Sequence, residues 1–384
     1  MHYRTIVLSI ILANLMVVFP AMSNDWIPPK SLDSLPSIPE LPDLFTFADG
    51  RKVKTIDSWR NRRKEMKAIL QYYQYGHIPP SPDRITVLDF KSRSIPELDA
   101  KEECMTLVIG SKTQLRMRIA VYIPSIEGKR PVIVREEAAL GHLEEVPVLM
   151  KRGFIFVEYA REDLDPDKKN VVGPAQQAYP DYDWGTIAVW AWGAMRVVDY
   201  LESRDDVDLN KIGVTGHSRG GKVAILAGAL DERFALVAPN GSGCGGAACY
   251  RIQGKKSETL GKITEPDRFG YWFHPRLRWF EGKEDQLPFD QHYLKALVAP
   301  RALICTEARD DKWANPLGTQ ATSIAARPSF ELFNVTSRNG LHFRDGNHDF
   351  MPSDWEVILD FAEWHLLNKK PAHPERFWST LENE

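Results

Sequence analysis

Long basic runs are missing from this sequence, and so are the spacings that usually hold a metal ion. Its 49 Lys and Arg face 52 Asp and Glu, leaving a formal net charge of -3 over 384 residues. The longest unbroken basic run is Arg62-Arg63-Lys64, so a nucleic-acid partner is not expected. No H-E-x-x-H or other close histidine spacing occurs, nor a glycine-rich nucleotide loop, so no metal and no cofactor is expected. Cysteine is scarce, with only Cys104, Cys244, Cys249 and Cys305. A chain this long needs no disulfide framework; Cys244 and Cys249 could pair, and buried free thiols are an equally good reading. Beyond the N-terminal segment no stretch is apolar enough to span a bilayer. Internal repeats and low-complexity linkers are lacking too, which favours one domain although the length would suit two.

What is present is the composition of a globular protein, 43% hydrophobic and 26% charged. The first residues, MHYRTIVLSIILANLMVVFPAMSND, place His2 and Arg4 before an apolar stretch from Ile6 to Val18. Ala21 and Ser23 then supply the small side chains of a cleavage site. This reads as a signal peptide over 1–23, hence a secreted or periplasmic protein with no stable membrane association after its removal; an uncleaved anchor is the alternative. Residues 24–45 are proline-rich and read as an extended arm on the surface of a single domain over 46–384, which we expect to be monomeric.

Trp59, Met66, Ile69, Leu70 and Tyr73 recur at helical spacing within Asp57 to Tyr75. Strand-like runs follow at Thr106–Gly110, Leu115–Ile123, Pro131–Arg135, Gly153–Tyr159, Lys211–Thr215, Phe234–Pro239 and Arg301–Thr306. Between and after them lie helical stretches at Trp184–Ser203, Gly220–Ala229, Gln291–Val298, Leu317–Ala326 and Ser353–Leu367. Short apolar strands alternating with helices predict a mostly parallel sheet with helices on both faces, a three-layer α/β sandwich.

The sharpest local signal is KIGVTGHSRGGKVAILAGAL, a strand that runs into Gly216-His217-Ser218-Arg219-Gly220 and then into a helix of small residues. A G-x-S-x-G in that context is the nucleophile elbow of the α/β-hydrolase fold, where flanking glycines permit a strained turn that exposes the serine hydroxyl. The same turn in an inert protein would be an ordinary strand-to-helix connection. In this fold the acid and the base follow the serine in that order. The run RALICT ends in a loop bearing Glu307, Asp310 and Asp311, and the acid is sought between Asp310 and Asp311. His274, His292, His342, His348 and His365 are the histidines to weigh as base. His348 sits in a loop just before the last amphipathic helix, where a base can reach over to the elbow; His342 is second, and His365 reads as structural.

With these pieces placed, the chain resembles glucuronoyl esterases of carbohydrate esterase family 15. The resemblance rests on LPDLFTFADGRKV, DWGTIAVWAWGAMRVVDYL, GHSRGGK, ERFALVAPNGSGCGGAACYR, YWFHP, LPFDQHYLKALVAPRAL, DDKWANP and RDGNHDFMPSDW, in this order along the mature chain. It implies Ser218 as nucleophile, Asp311 rather than Asp310 as acid, and His348 as base. It further implies Arg219 at the oxyanion, and Lys222, Glu258 and Trp313 on the sugar. One departure stands out. Many relatives carry a catalytic Glu in a P-x-E-S-G pattern where this chain reads Pro239-Asn240-Gly241-Ser242-Gly243. The segment VIVREEAALGHL likewise lacks the HGGG-type run of a lipase.

The function so implied is cleavage of the ester between 4-O-methylglucuronoyl side chains of xylan and lignin alcohols, with glucuronoxylan or a lignin-carbohydrate ester as substrate. An acetylxylan esterase-like enzyme and a non-catalytic sugar-binding relative are the alternatives.

Overall fold

The computed structural model describes residues 26–29, 31, 34–141 and 144–381, so the segment read as a signal peptide lies outside the described residues. Among these, nine strands form one sheet: β1 (Ile85–Ile95), β2 (Ala100–Ile109), β3 (Leu115–Pro124), β4 (Arg130–Glu137), β5 (Ile155–Ala160), β6 (Val207–His217), β7 (Phe234–Asn240), β8 (Ala302–Ala308) and β9 (Asn339–Arg344). Their spatial order is β1-β2-β3-β5-β4-β6-β7-β8-β9. The first four in that order pair antiparallel, and every pairing from β5 through β9 is parallel.

Two of these strands have no counterpart in the sequence reading. β1 is exposed over most of its length, so its residues show no inside-outside alternation. β9 has only six residues, His342 among them, and lies in a stretch to which the sequence reading assigned no element.

The helices are α1 (Ile56–Leu70), α2 (Val146–Lys151), α3 (Pro174–Ala178), α4 (Thr186–Leu201), α5 (Arg219–Leu230), α6 (Leu260–Ile263), α7 (His292–Val298), α8 (Pro316–Glu331) and α9 (Pro352–Leu367). α1 starts at a capping box in which Thr55 and Ser58 satisfy each other's backbone donors. The predicted continuation to Tyr75 exists, but Gln71–Tyr75 is wound as a π-helix.

Strand residues alternate between two cores. Val132, Val134, Ile155 and Val157 face the larger one, with α4, α5 and α7. Ile133 and Phe156 face the smaller one, built on α2 and α9. Alternation of this kind is what a sheet covered on both faces requires.

The arm is tied to the surface where it is described. Trp26 meets the Tyr72 and Tyr73 rings edge-on at 5.5 and 5.8 Å, and the backbone N–H of Ile38 donates to Asp285 O at 2.8 Å. All four cysteines are free thiols, so Cys244 and Cys249 do not form a bridge. The parallel register of β6 through β9 brings the loops at their carboxyl ends together, and those loops carry Ser218, Gly241, Asp311 and His348.

Candidate active site

β6 ends in a turn whose backbone is itself strained. Ser218 has φ 57° and ψ -118°, a region that a non-glycine residue enters at a cost of about 1–3 kcal/mol. Its amide donates to Asn240 O at 2.9 Å, and its carbonyl accepts from Lys222 N at 3.1 Å, which fixes the turn to β7 and to α5. The flanking glycines are steric necessities. A Cβ on Gly216 would lie 2.4 Å from Gly220 O, and one on Gly220 would lie 2.2 Å from Glu136 Oε1. Deeper in α5, a Cβ on Gly228 would stand 2.1 Å from Val237 Cγ2, so the helix presses directly on β7.

His348 Nε2 lies 2.9 Å from Ser218 Oγ. On the other side of the ring, His348 Nδ1 lies 2.5 Å from Asp311 Oδ2. Asp311 is buried, and its Oδ1 accepts from Ala314 N at 3.0 Å, which orients the carboxylate. Asp310 is exposed, and its amide donates to Gly346 O, linking the two loops through backbone.

The other histidines are engaged elsewhere. His292 Nε2 contacts Pro42 O, His342 Nδ1 contacts Arg376 O, and His274 Nε2 faces Asp183. His365 stacks on Trp364, and burial pushes its pKa down to about 4.

Lys222 and Glu258 form a buried ion pair of 2.9 Å, and Lys222 Nζ also donates to Ser242 O at 2.6 Å. Glu258 N donates to Trp313 O at 2.9 Å, which joins the half-buried Trp313 to this pair through backbone. The guanidinium of Arg219 and the ammonium of Lys222 lie 5.1 and 5.9 Å from one Trp272 ring. Ser218, Arg219, Lys222, Glu258, Asp311, Trp313 and His348 therefore belong to one connected region.

Three members of that region escaped the sequence reading. His217, the unspecified position of the elbow motif, lies with its ring centroid 4.5 Å from that of His348 and shares a 2.6 Å contact with Asn240 Oδ1. Burial lowers the His217 pKa, with the His348 charge acting in the same direction, which favours a neutral ring beside His348. Asn240 in turn donates to Thr306 Oγ1 at 2.8 Å. Trp272 was visible only as part of YWFHP.

Gly241 has φ +48°, and a Cβ there would lie 3.6 Å from His348 Nδ1. A glutamate at this position could therefore compete for the nitrogen that Asp311 now holds.

Glu307, which precedes the acid loop on β8, is buried and accepts from Thr319 Oγ1 at 3.0 Å. Burial, and next the charge of Asp311, push its pKa from the ordinary 4.5 up to about 8. The folded protein then holds a proton that the unfolded chain has lost, so stability falls as pH rises from about 4.5 to about 8 and levels off above. Glu307→Gln is expected to melt a few degrees above the wild type at pH 8, the advantage vanishing below pH 4.5, when both are followed by calorimetry.

A serine, an imidazole and a buried carboxylate in this sequence of contacts have the geometry that an acyl-transfer relay requires. Among the described residues no group of three or more His, Cys, Asp and Glu is arranged around a metal position.

The family model described as "Glucuronyl esterase, fungi" matches residues 107–334. The 4-O-methyl-glucuronoyl methylesterase of Schizophyllum commune is 31% identical over 86% of this chain and 82% of its own. The chain belongs to the glucuronoyl esterases. This family consists of carboxylic ester hydrolases, and its solved members share the α/β-hydrolase fold seen here.

A carbohydrate esterase family 15 glucuronoyl esterase from Caldicellulosiruptor kristjansonii superposes with a TM-score of 0.79 at 31% identity, covering 93% of this chain and 98% of that one. A glucuronoyl esterase from Sporotrichum thermophile, solved in complex with methyl 4-O-methyl-beta-D-glucopyranuronate, gives 0.74 at 27% identity, covering 88% and 91%. In this glucuronoyl esterase the imidazole is met by Asp311, and position 241 is a glycine.

Proposed function

We propose that this protein hydrolyses glucuronate esters through an acyl-enzyme on Ser218, and that its substrates are the 4-O-methylglucuronoyl side chains of xylan esterified to lignin alcohols. The observation that carries the reading is the Ser218, His348, Asp311 relay standing one turn of α5 away from the buried Lys222–Glu258 pair. Further support is the relatives' chemistry: the Schizophyllum commune protein is named for the 4-O-methylglucuronoyl ester, and the Sporotrichum thermophile enzyme was crystallised with the methyl ester.

In this reading His348 Nε2 removes the proton of Ser218 as Oγ attacks the ester carbonyl, while Asp311 holds the Nδ1 proton and stabilises the imidazolium. The developing oxyanion meets the backbone N–H of Arg219, an unpaired donor of the first turn of α5, and the Arg219 guanidinium. Collapse expels the alcohol with the proton from His348. Water, deprotonated by the same imidazole, then releases the uronic acid and restores Ser218.

Glu258 and Lys222 serve as acceptor and donor for the sugar's vicinal hydroxyls, and Trp313 offers an apolar flank. An acetyl group has nothing to offer these residues. Glu258→Gln is expected to raise KM for benzyl glucuronate about 10-fold or more, the value of a charge-assisted hydrogen bond, with 4-nitrophenyl acetate turnover little changed. Steady-state kinetics on both esters checks this; equal losses on the two would favour a general esterase.

The reading extends to export by the 1–23 segment and to a monomeric enzyme with one catalytic domain over 46–384. Among the described residues no helix is long and apolar enough to cross a membrane.

A further inference from the structure

Arg219 is held from behind. Its Nη1 donates to Asp167 Oδ2, and its guanidinium carbon lies over the Trp272 ring at 5.1 Å. The other carboxylate oxygen of Asp167 accepts from the Tyr271 hydroxyl at 2.7 Å and from Trp272 Nε1 at 2.8 Å. Only 11% of the Asp167 side chain is exposed, against 38% for Arg219. Burial raises the Asp167 pKa, yet the hydrogen bonds from Trp272 and Tyr271 and the charge of Arg219 outweigh it and keep the carboxyl below its ordinary value.

The loop that presents Asp167 is itself anchored. Asp165 accepts from Thr186 Oγ1 at 2.6 Å through its side chain and from Trp190 Nε1 at 2.8 Å through its carbonyl, and Asp167 N donates to Glu162 Oε2 at 3.0 Å. Three segments distant in sequence thus converge on one guanidinium: the loop after β5, the Tyr271-Trp272 turn and the first turn of α5.

We propose that Asp167 is the positioning residue of the oxyanion site, gripping one edge of the Arg219 guanidinium so that its remaining N–H groups face the carbonyl oxygen of the ester on Ser218. This rests on the reading of Arg219 as an oxyanion donor and adds what makes that donor effective. A free arginine side chain has many rotamers, and a donor helps the transition state most when it needs no reorganisation as charge develops. A carboxylate this close also weakens the positive field at the oxyanion, and that opposite effect gives the proposal its risk. If orientation dominates, removing the charge of Asp167 slows the reaction; if the field dominates, it accelerates it.

The test is a double-mutant cycle on benzyl glucuronate with Asp167→Asn, Arg219→Ala and the double variant. Arg219→Ala should lower kcat about 100-fold, the value of one oxyanion donor, and Asp167→Asn about 10-fold, each with little change in KM. The double variant should be no slower than Arg219→Ala alone, because Asp167 has nothing left to orient. Asp167→Glu should regain part of the loss, which a simple packing role would not give.

Additive losses, or a kcat raised by Asp167→Asn, overturn the proposal while leaving the esterase reading intact. An Arg219→Ala variant as fast as the wild type overturns the oxyanion role of Arg219 itself. Should Asp167→Asn fail to fold, Tyr271→Phe removes one of the donors that aim the carboxylate and runs the same cycle with a smaller expected loss of about 3-fold, near the low end for a hydrogen bond.

Discussion

Ser218→Ala is expected to lower kcat on benzyl glucuronate by about 10⁴- to 10⁶-fold with the fold intact. In the proposed mechanism the hydroxyl is the attacking atom, and nothing near it can take its place: the adjacent side chains are His217 and Arg219, and the contacts from His348 Nε2 end on Ser218 Oγ. Residual turnover should survive from the oxyanion donors, which do not depend on the serine oxygen. Folding should be little disturbed, because the contacts that hold the elbow are made by the backbone of Ser218 and not by its side chain. Circular dichroism with steady-state kinetics checks both halves; a variant within about 10-fold of the wild type would falsify the nucleophile assignment.

Asp311→Asn carries the second large effect, a fall in kcat of about 10⁴-fold. The asparagine can keep the geometry, but it presents either an N–H or an uncharged oxygen to His348 Nδ1, so the ring loses its required tautomer or the partner for its charge. Here the glycine at 241, on the other side of the imidazole, permits an experiment. Adding Gly241→Glu to Asp311→Asn should restore activity at least about 10-fold, because a carboxylate from that side can take over Nδ1. The recovery is partial for two reasons. A non-glycine residue at φ +48° costs about 1–2 kcal/mol, and its Cβ would press within 3.3 Å of His217 Cε1. A double variant as slow as Asp311→Asn alone would show that the imidazole can be served from one side only.

The parts of this enzyme that were legible in its sequence are those where sterics dictate composition. Gly216 and Gly220 are where a methyl group cannot fit, so the elbow reads directly. Fold order narrowed the acid to Asp310 or Asp311 and favoured His348 as base, and the choice of Asp311 came from the resemblance. Lys222, Glu258 and Trp313 were reached by resemblance, since no spacing announces a sugar hydroxyl.

What escaped were contacts created by folding alone. His217 meets Asn240 from the neighbouring strand, and Arg219 meets Asp167 from a loop 52 residues away. β1 was invisible because an edge strand exposed on both sides shows no alternation, and β9 because six residues next to a glycine-containing loop resemble a turn. The extension of α1 was seen, but its π-wound end was not, as hydrophobic spacing does not distinguish one turn type from another over five residues.

The central claim is that a glucuronoyl group passes through the oxygen of residue 218. Acid-quenching the wild-type enzyme during turnover of benzyl glucuronate, then mapping its peptides by mass spectrometry, tests this most directly. The account predicts a mass increase equal to one glucuronoyl unit on the peptide containing Gly216-His217-Ser218, absent from the Ser218→Ala protein. Turnover that proceeds with that peptide unmodified at every quench time, or with the adduct on another residue, would contradict it.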